Sequence, residues 1–383
     1  MTTKPYLVEA ANSVTSRWLT EIDYSSDMLI SGYSAWSLLA ALTLGATGPA
    51  KNELAAVTMV DGDAGPAVRE LWERVSEEAD GGFGLWVKPE VSIEGSFKAL
   101  LPKLTTGEIP ADMSIFDRWI STATDGLITE FPRIVDSQTL MVLASALTVD
   151  VDWETPFEPG TMKWPDSDTW FTGLGRREEV SAAASIVSLG DRSISRYVSR
   201  STSEIDVHLV AGQAEDGPAE VLATAIGALE GTAEIIVATD LRPGDEAGCL
   251  QVKKVDGDRD YVYVQVPQFS IAGSHQLTEL PSLFGLSTAM DSSRGHFGNI
   301  SSFPLALQKV VQKVVAEFSA TGFKAAAVTV ASARAGAAPP EGVCKQVSID
   351  HDRPFGFLVV HRPTQLVLFS GWIATSNGFD SRP

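Results

Sequence analysis

The stretch TLMVLASALTVDVDWETPF, Thr139 to Phe157, decides the fold class. From Leu140 to Val151 it is rich in Leu, Val, Ala and Thr, with no charge before Asp150. A strand covered on both faces reads this way, because neither set of alternating side chains meets water. It closes on a Trp153…Pro156-Phe157 step, and the proline cannot continue a ladder.

Upstream of this stretch the period is helical. Leu7, Ala11, Val14, Trp18 and Ile22 recur at three- and four-residue steps, which predicts an amphipathic helix. Ser34 to Leu44 is apolar on nearly every face and is expected as a buried helix ended by Gly45 and Gly48. Helices are also expected over Pro66–Ala79 and Ile115–Thr124. Gly81-Gly82-Phe83-Gly84 reads as a turn.

Downstream the pattern changes to strands. Short strands are expected within Val180–Ile205, then Tyr261–Val266 ended by Pro267, with a short helix over Leu277–Leu286. Val310–Phe318 and Val343–Ile349 read as extended, and Phe355–Val360 and Leu366–Ile373 as two strands around Arg362-Pro363-Thr364. Helices gathered in the first third and strands after it give an α+β chain rather than alternating βαβ units. No repeat and no Pro/Gly/Ser-rich linker divides it, so 1–383 is expected to be one domain.

Composition removes several function classes. Twenty-nine basic against forty-nine acidic residues leave a net charge of −20, which repels polyphosphate and argues against nucleic acid. Met1–Pro5 lacks the apolar core of a secretory signal. Tyr33–Ala46, broken by serines, falls short of the roughly 18–20 residues that span a bilayer. The expectation is a soluble monomer without membrane contact, its compartment open between extracellular and cytoplasmic. Two cysteines, Cys249 and Cys344, exclude a disulfide framework and would pair only if their Cα atoms came within about 7 Å. Cys344 reads as a small hydrophobe on a strand.

No enzyme chemistry is visible. His208, His275, His296, His351 and His361 are scattered singly, and no HExxH, CxxC, Walker loop or GxSxG elbow occurs. His351-Asp352-Arg353 reads as a solvated loop before Pro354. Asn299-Ile300-Ser301 matches a glycosylation sequon, a pattern frequent by chance. No cofactor and no metal are expected.

Taken together, the motifs resemble the serpin family, whose members are serine protease inhibitors. Leu29-Ile30-Ser31-Gly32 leads to Leu44-Gly45-Ala46, and Arg118-Trp119-Ile120 to Thr124-Asp125-Gly126-Leu127-Ile128. The Thr139–Phe157 stretch matches the family's central strand, with Ser145 at the usual asparagine. Pro267-Gln268-Phe269, Leu283-Phe284-Gly285-Leu286 and Gly295–Ser301 follow in order. Arg353-Pro354-Phe355 and Leu368-Phe369-Ser370-Gly371 close the series. The resemblance implies three β-sheets, about eight or nine helices and an exposed reactive-centre loop. Ser31, Ser145 and Trp153 fall at positions that govern opening of the main sheet. The region before Ile115 is shorter than usual, so a full-length fourth helix, where some serpins bind glycosaminoglycans, is not expected.

The same resemblance assigns an otherwise odd segment, Ala325–Pro340 (AAAVTVASARAGAAPP), a loop longer than compact domains normally carry. Hinge and loop together run over 323–342. Gly322, Phe323, Lys324, Ala325, Ala326, Ala327, Val328 and Thr329 match the alanine-rich hinge. The implied activity is suicide inhibition of an elastase-, subtilisin- or trypsin-like serine protease: the loop is cut, and its freed part inserts into the main sheet as a strand. Strand parity suits this, because Phe323, Ala325, Ala327 and Thr329 face the core while Lys324 stays in water. The opposite register would bury Lys324 at several kcal/mol. Phe323, where the family has Thr or Ser, is expected to obstruct insertion at about 1–3 kcal/mol of overpacking. Counting from Gly322 as the family does puts the cut between Gly336 and Ala337, with Arg334–Ala335 as the rival. A serpin-like carrier or storage protein that no longer inhibits is the alternative.

Overall fold

Proline opens the first helix, where its missing N–H costs nothing, and α1 (Pro5–Leu19) buries the expected face through Leu7, Ala11, Val14 and Trp18. The computed structural model describes residues 4–133, 135–136, 139–165, 167–323, 342–376 and 379. Strand β1 (Met28–Ile30) leads into α2 (Gly32–Gly45), capped by Ser31, whose Oγ accepts the Ser34 N–H at 3.0 Å. Every residue of α2 is buried. Helix α3 (Gly48–Thr58), which was not expected, precedes α4 (Gly65–Val75), the helix expected over Pro66–Ala79. Then come β2 (Asp80–Val87), α5 (Gly95–Leu100), β3 (Leu104–Glu108) and α6 (Ser114–Ala123).

Strand β2 corrects the reading of Gly81–Gly84 as a turn. The glycines make room inside a strand. A Cβ on Gly84 would lie 2.0 Å from the Trp86 ring, and one on Gly82 would lie 3.0 Å from Ala123 of α6. Their absence lets the indole and the helix lie flat on the sheet.

The remaining elements are β4 (Met141–Thr148), β5 (Val151–Asp152), β6 (Glu158–Met162), β7 (Phe171–Glu179), β8 (Ala184–Leu189), β9 (Arg192–Arg200), β10 (Ile205–Ala211) and α7 (Pro218–Leu229). They continue with β11 (Glu234–Val237), β12 (Glu246–Ala247), β13 (Leu250–Asp256), β14 (Tyr261–Pro267) and β15 (Phe269–Gln276). A single 3₁₀ turn (Leu277–Glu279) and α8 (Pro281–Phe284) replace the expected helix over Leu277–Leu286. The chain finishes with β16 (Lys309–Phe318), β17 (Gly322–Phe323), β18 (Val343–Asp350), β19 (Phe355–His361) and β20 (Leu366–Ile373).

Three sheets and eight α-helices stand among the described residues, the α+β class expected. The main sheet runs β3-β2-β4-β16-β17-β5, with β15 also paired to β16. A second runs β1-β20-β19-β10-β9-β8-β11, and a third β12-β13-β18-β14-β7-β6. All eight residues of β4 are buried. On its inner side Met141, Leu143 and Leu147 join the large core around α2. On its outer side Val142, Ala144 and Ala146 pack with Val311 of β16 beneath Phe116 and Ile120 of α6. Helix α6 thus packs on β2 and β4, beside the line along which β4 meets β16.

Two further readings change. His351 is wholly buried rather than solvated, its ring edge-on to Phe355 at 5.0 Å. Desolvation pushes its pKa down to about 4. Cys249 and Cys344 are both buried and unpaired. No described helix is long and apolar enough to cross a membrane.

Candidate functional site at the open end of the main sheet

Strands β4 and β16 pair in parallel from Val142↔Lys309 to Leu147↔Val314. Past Val314 the two strands part, and the chain leaving β16 turns back on itself. The Ser319 N–H donates to the Gly322 carbonyl at 2.9 Å, and Gly322 returns its own N–H to Ser319 Oγ at 3.3 Å. The turn sets β17 between β16 (Phe318↔Phe323) and β5 (Gly322↔Asp152, Phe323↔Val151), antiparallel to both. Residues 322–323 therefore already form a rung between the two strands that an inserting segment would have to join.

The rung is held from one side by a short segment. The Trp153 N–H donates to the Thr321 carbonyl at 2.9 Å, its indole Nε1 to the Ser319 carbonyl at 2.9 Å, and the Phe157 N–H to the Ala320 carbonyl at 2.8 Å. Trp153 and Phe157 flank the Phe318 ring at 5.0 and 5.3 Å. Phe323 is 0% exposed, its ring 6.0 Å from that of Phe357. The phenyl ring of the uncut chain is thus already packed in the core.

Lower down, Ser31 and Ser145 lie on either side of Gln312, a residue not singled out in the sequence. Gln312 of β16, fully buried, accepts the Ser31 N–H at 3.0 Å and donates Nε2–H to the Ser31 carbonyl at 2.7 Å. It stands directly opposite Ser145 in the parallel register. Ser145 Oγ is buried and has no partner among the described residues. On the outer face Lys313 Nζ donates to the Glu130 carbonyl at 2.6 Å, tying β16 to the segment that follows α6. Trp153 belongs to the open end rather than to this cluster.

The downstream end of the loop is anchored separately. Gly342, at φ +118°, accepts the Gly257 N–H at 3.1 Å. Strand β18 then pairs on both sides, with β13 antiparallel and β14 parallel. Lys345 Nζ donates to the carbonyls of Ala238 at 2.8 Å and of Thr239 and Leu241 at 3.2 Å. Of the expected loop residues, Gly322 and Phe323 stand in the sheet. Lys324, Ala325, Ala326, Ala327, Val328, Thr329, Arg334, Ala335, Gly336 and Ala337 lie outside the described residues. Helix α5 has six residues and one base, Lys98. No cluster of potential metal ligands occurs among the described residues.

The family model described as Serpin (serine protease inhibitor) matches residues 9–166 and 250–375. Glia-derived nexin of Homo sapiens is 25% identical over 369 residues, covering 91% of this chain and 87% of that protein. Serine proteinase inhibitor 1 of Myxoma virus (strain Lausanne) is 25% identical over 364 residues, with the same coverage, 91% and 87%. Native protease nexin-1 crystallised with heparin superposes with a TM-score of 0.74 at 19% identity, over 97% of this chain and 100% of that one.

Proposed function

Because the chain belongs to the serpin family, we propose that it is a suicide inhibitor of a serine protease, acting once per molecule through cleavage and insertion of its reactive loop. One observation carries the reading. In the uncut chain Phe323 is already paired with Phe318 and Val151, between β16 and β5, so the loop departs from inside the sheet it would complete. The relatives named inhibitors support the class of activity.

In the reaction proposed, the protease serine attacks the carbonyl of the cut residue. The serine oxygen forms an ester as the peptide C–N bond breaks, and the amine of the next residue leaves with a proton. The segment from Lys324 onward then continues the rung downward, parting β4 from β16. With Phe323 facing the core, period-two alternation turns Ala325, Ala327 and Thr329 inward and Lys324 to water. About ten new ladder bonds, at about 1 kcal/mol net each, supply on the order of 10 kcal/mol. The bond between Gly336 and Ala337 suits a small-pocket, elastase- or subtilisin-like protease; Arg334–Ala335 suits a trypsin-like one. Residues 1–383 act as one domain, with 323–342 as hinge and loop.

Incubation with proteases of these three specificities, followed by denaturing electrophoresis, tests the reading. An SDS-stable one-to-one adduct is expected with one of them. Clean loop cleavage by all three without any adduct would favour the non-inhibitory carrier or storage reading.

A further inference from the structure

Arg176 of β7 is 5% exposed, yet it carries a full charge into the junction of three elements. Its Nε donates to the Tyr197 hydroxyl at 2.8 Å; Nη2 reaches the same hydroxyl and donates to Ser199 Oγ at 3.1 Å, both residues on β9. Nη1 donates to the Thr155 carbonyl, and the guanidinium carbon lies 4.1 Å above the Phe157 ring. Glu178 Oε2, 3.5 Å from Nε, balances the charge.

Thr155 and Phe157 belong to the segment whose backbone holds Ala320 and Thr321. A buried guanidinium is costly unless its donors are met, and an apolar side chain packs such a place as well. What an apolar side chain lacks is a planar fork that fixes one segment's direction against a second. Lining residues Glu154, Ser181 and Arg200 leave an open cleft of about 270 Å³ beside Arg176, so the 153–157 segment has solvent on one side. It is held by Arg176 together with its own backbone, the Glu154 N–H donating to the Arg200 carbonyl at 3.0 Å.

We propose that Arg176 is a positioning residue for inhibition: it aligns 153–157 and so keeps 319–323 seated in the main sheet, ready for the loop to follow. This rests on the inhibitory reading for its consequence, though the seating itself is independent of any protease.

The experiment uses Arg176→Met, of similar length without charge, Arg176→Lys, and Leu368→Ala as a core variant on the distant β20. Hydrogen exchange of the Trp153 and Phe157 amides reads the seating directly, because these N–H groups are the ones that grip Thr321 and Ala320. In Arg176→Met they are expected to exchange roughly tenfold faster than in Leu368→Ala at matched thermal stability, with Arg176→Lys between the two. Where wild type forms the adduct, the share of Arg176→Met consumed as plain substrate is expected to rise several-fold. Exchange equal to that of Leu368→Ala would overturn the proposal even if inhibition is real. Faster exchange in a protein that forms no adduct would uphold the seating and overturn only the inhibitory reading.

Discussion

Gln312 and Ser31 hold each other by both backbone groups of the serine: the Ser31 N–H donates to Oε1 at 3.0 Å, and Nε2–H donates to the Ser31 carbonyl at 2.7 Å. Since Ser31 caps α2 and Gln312 sits mid-way along β16, this pair ties the main sheet to the helix beneath it. Opening the sheet beside β16 has to proceed around that tie.

Gln312→Leu leaves the buried Ser31 N–H without a partner, while the Ser31 carbonyl keeps the Ala35 N–H at 3.0 Å, which costs about 1–3 kcal/mol. Ser145→Ala removes a hydroxyl that has no partner among the described residues, so stability stays within about 1 kcal/mol of wild type. Urea unfolding of the two variants checks this. Equal losses in both would mean that Ser145 contributes as much to this junction as Gln312 does.

Phe323→Thr tests the seating of the hinge. The ring is buried against the core, so its loss should lower stability by about 3 kcal/mol. Melting of both uncut and nicked protein should fall, and inhibition should not accelerate. Faster inhibition at unchanged stability would restore the ring as an obstruction.

His208 and His351 set an acid limit. Desolvation pushes them down to about 3 and about 4 from the ordinary 6.5. Below pH 6.5 the unfolded chain binds protons that the folded chain refuses. Their contribution is therefore complete above pH 6.5 and drains away as pH falls through 4 for His351 and toward 3 for His208. By pH 5 each removes about 2 kcal/mol. Unfolding free energies at pH 7.5 and pH 5 should differ by at least that much, because desolvation also lowers His275 and His361, and His351→Gln should remove its own share of the difference. A flat profile would contradict the burial.

Lys345 bears on the loop's other anchor. For an uncut loop to insert, β18 would have to leave both β13 and β14. Lys345→Met removes the grip on the Ala238, Thr239 and Leu241 carbonyls. Spontaneous loss of activity on storage at 37 °C should accelerate several-fold. An unchanged half-life would show that the ladders alone hold β18.

Much of this architecture was legible because it lies in period and punctuation. The buried run of β4, the all-apolar α2 and the closing β19–β20 pair each carry their surroundings in their composition. Helices α3 and α7 escaped: PAEVLATAIGAL of α7 has apolar residues on most faces and little amphipathic contrast. Gly81–Gly84 misled because glycine usually marks a turn, whereas here the neighbours that need the space come from Trp86 and α6. At the site, Ser31, Ser145 and Trp153 were readable by likeness. Gln312 offered a signal that went unused, a lone amide in Val310-Val311-Gln312-Lys313-Val314, which a buried strand tolerates only with a partner. Arg176 offered none, since the residues it joins are far apart in the chain.

Whether a cut loop becomes a strand of the main sheet is decided by the structure of the nicked protein. The account requires residues from Lys324 onward to run between β4 and β16, with Phe323 unmoved and the Val142↔Lys309 to Leu147↔Val314 pairing replaced by pairing to the new strand. A nicked molecule in which that pairing persists and the cut segment lies outside the sheet would contradict it.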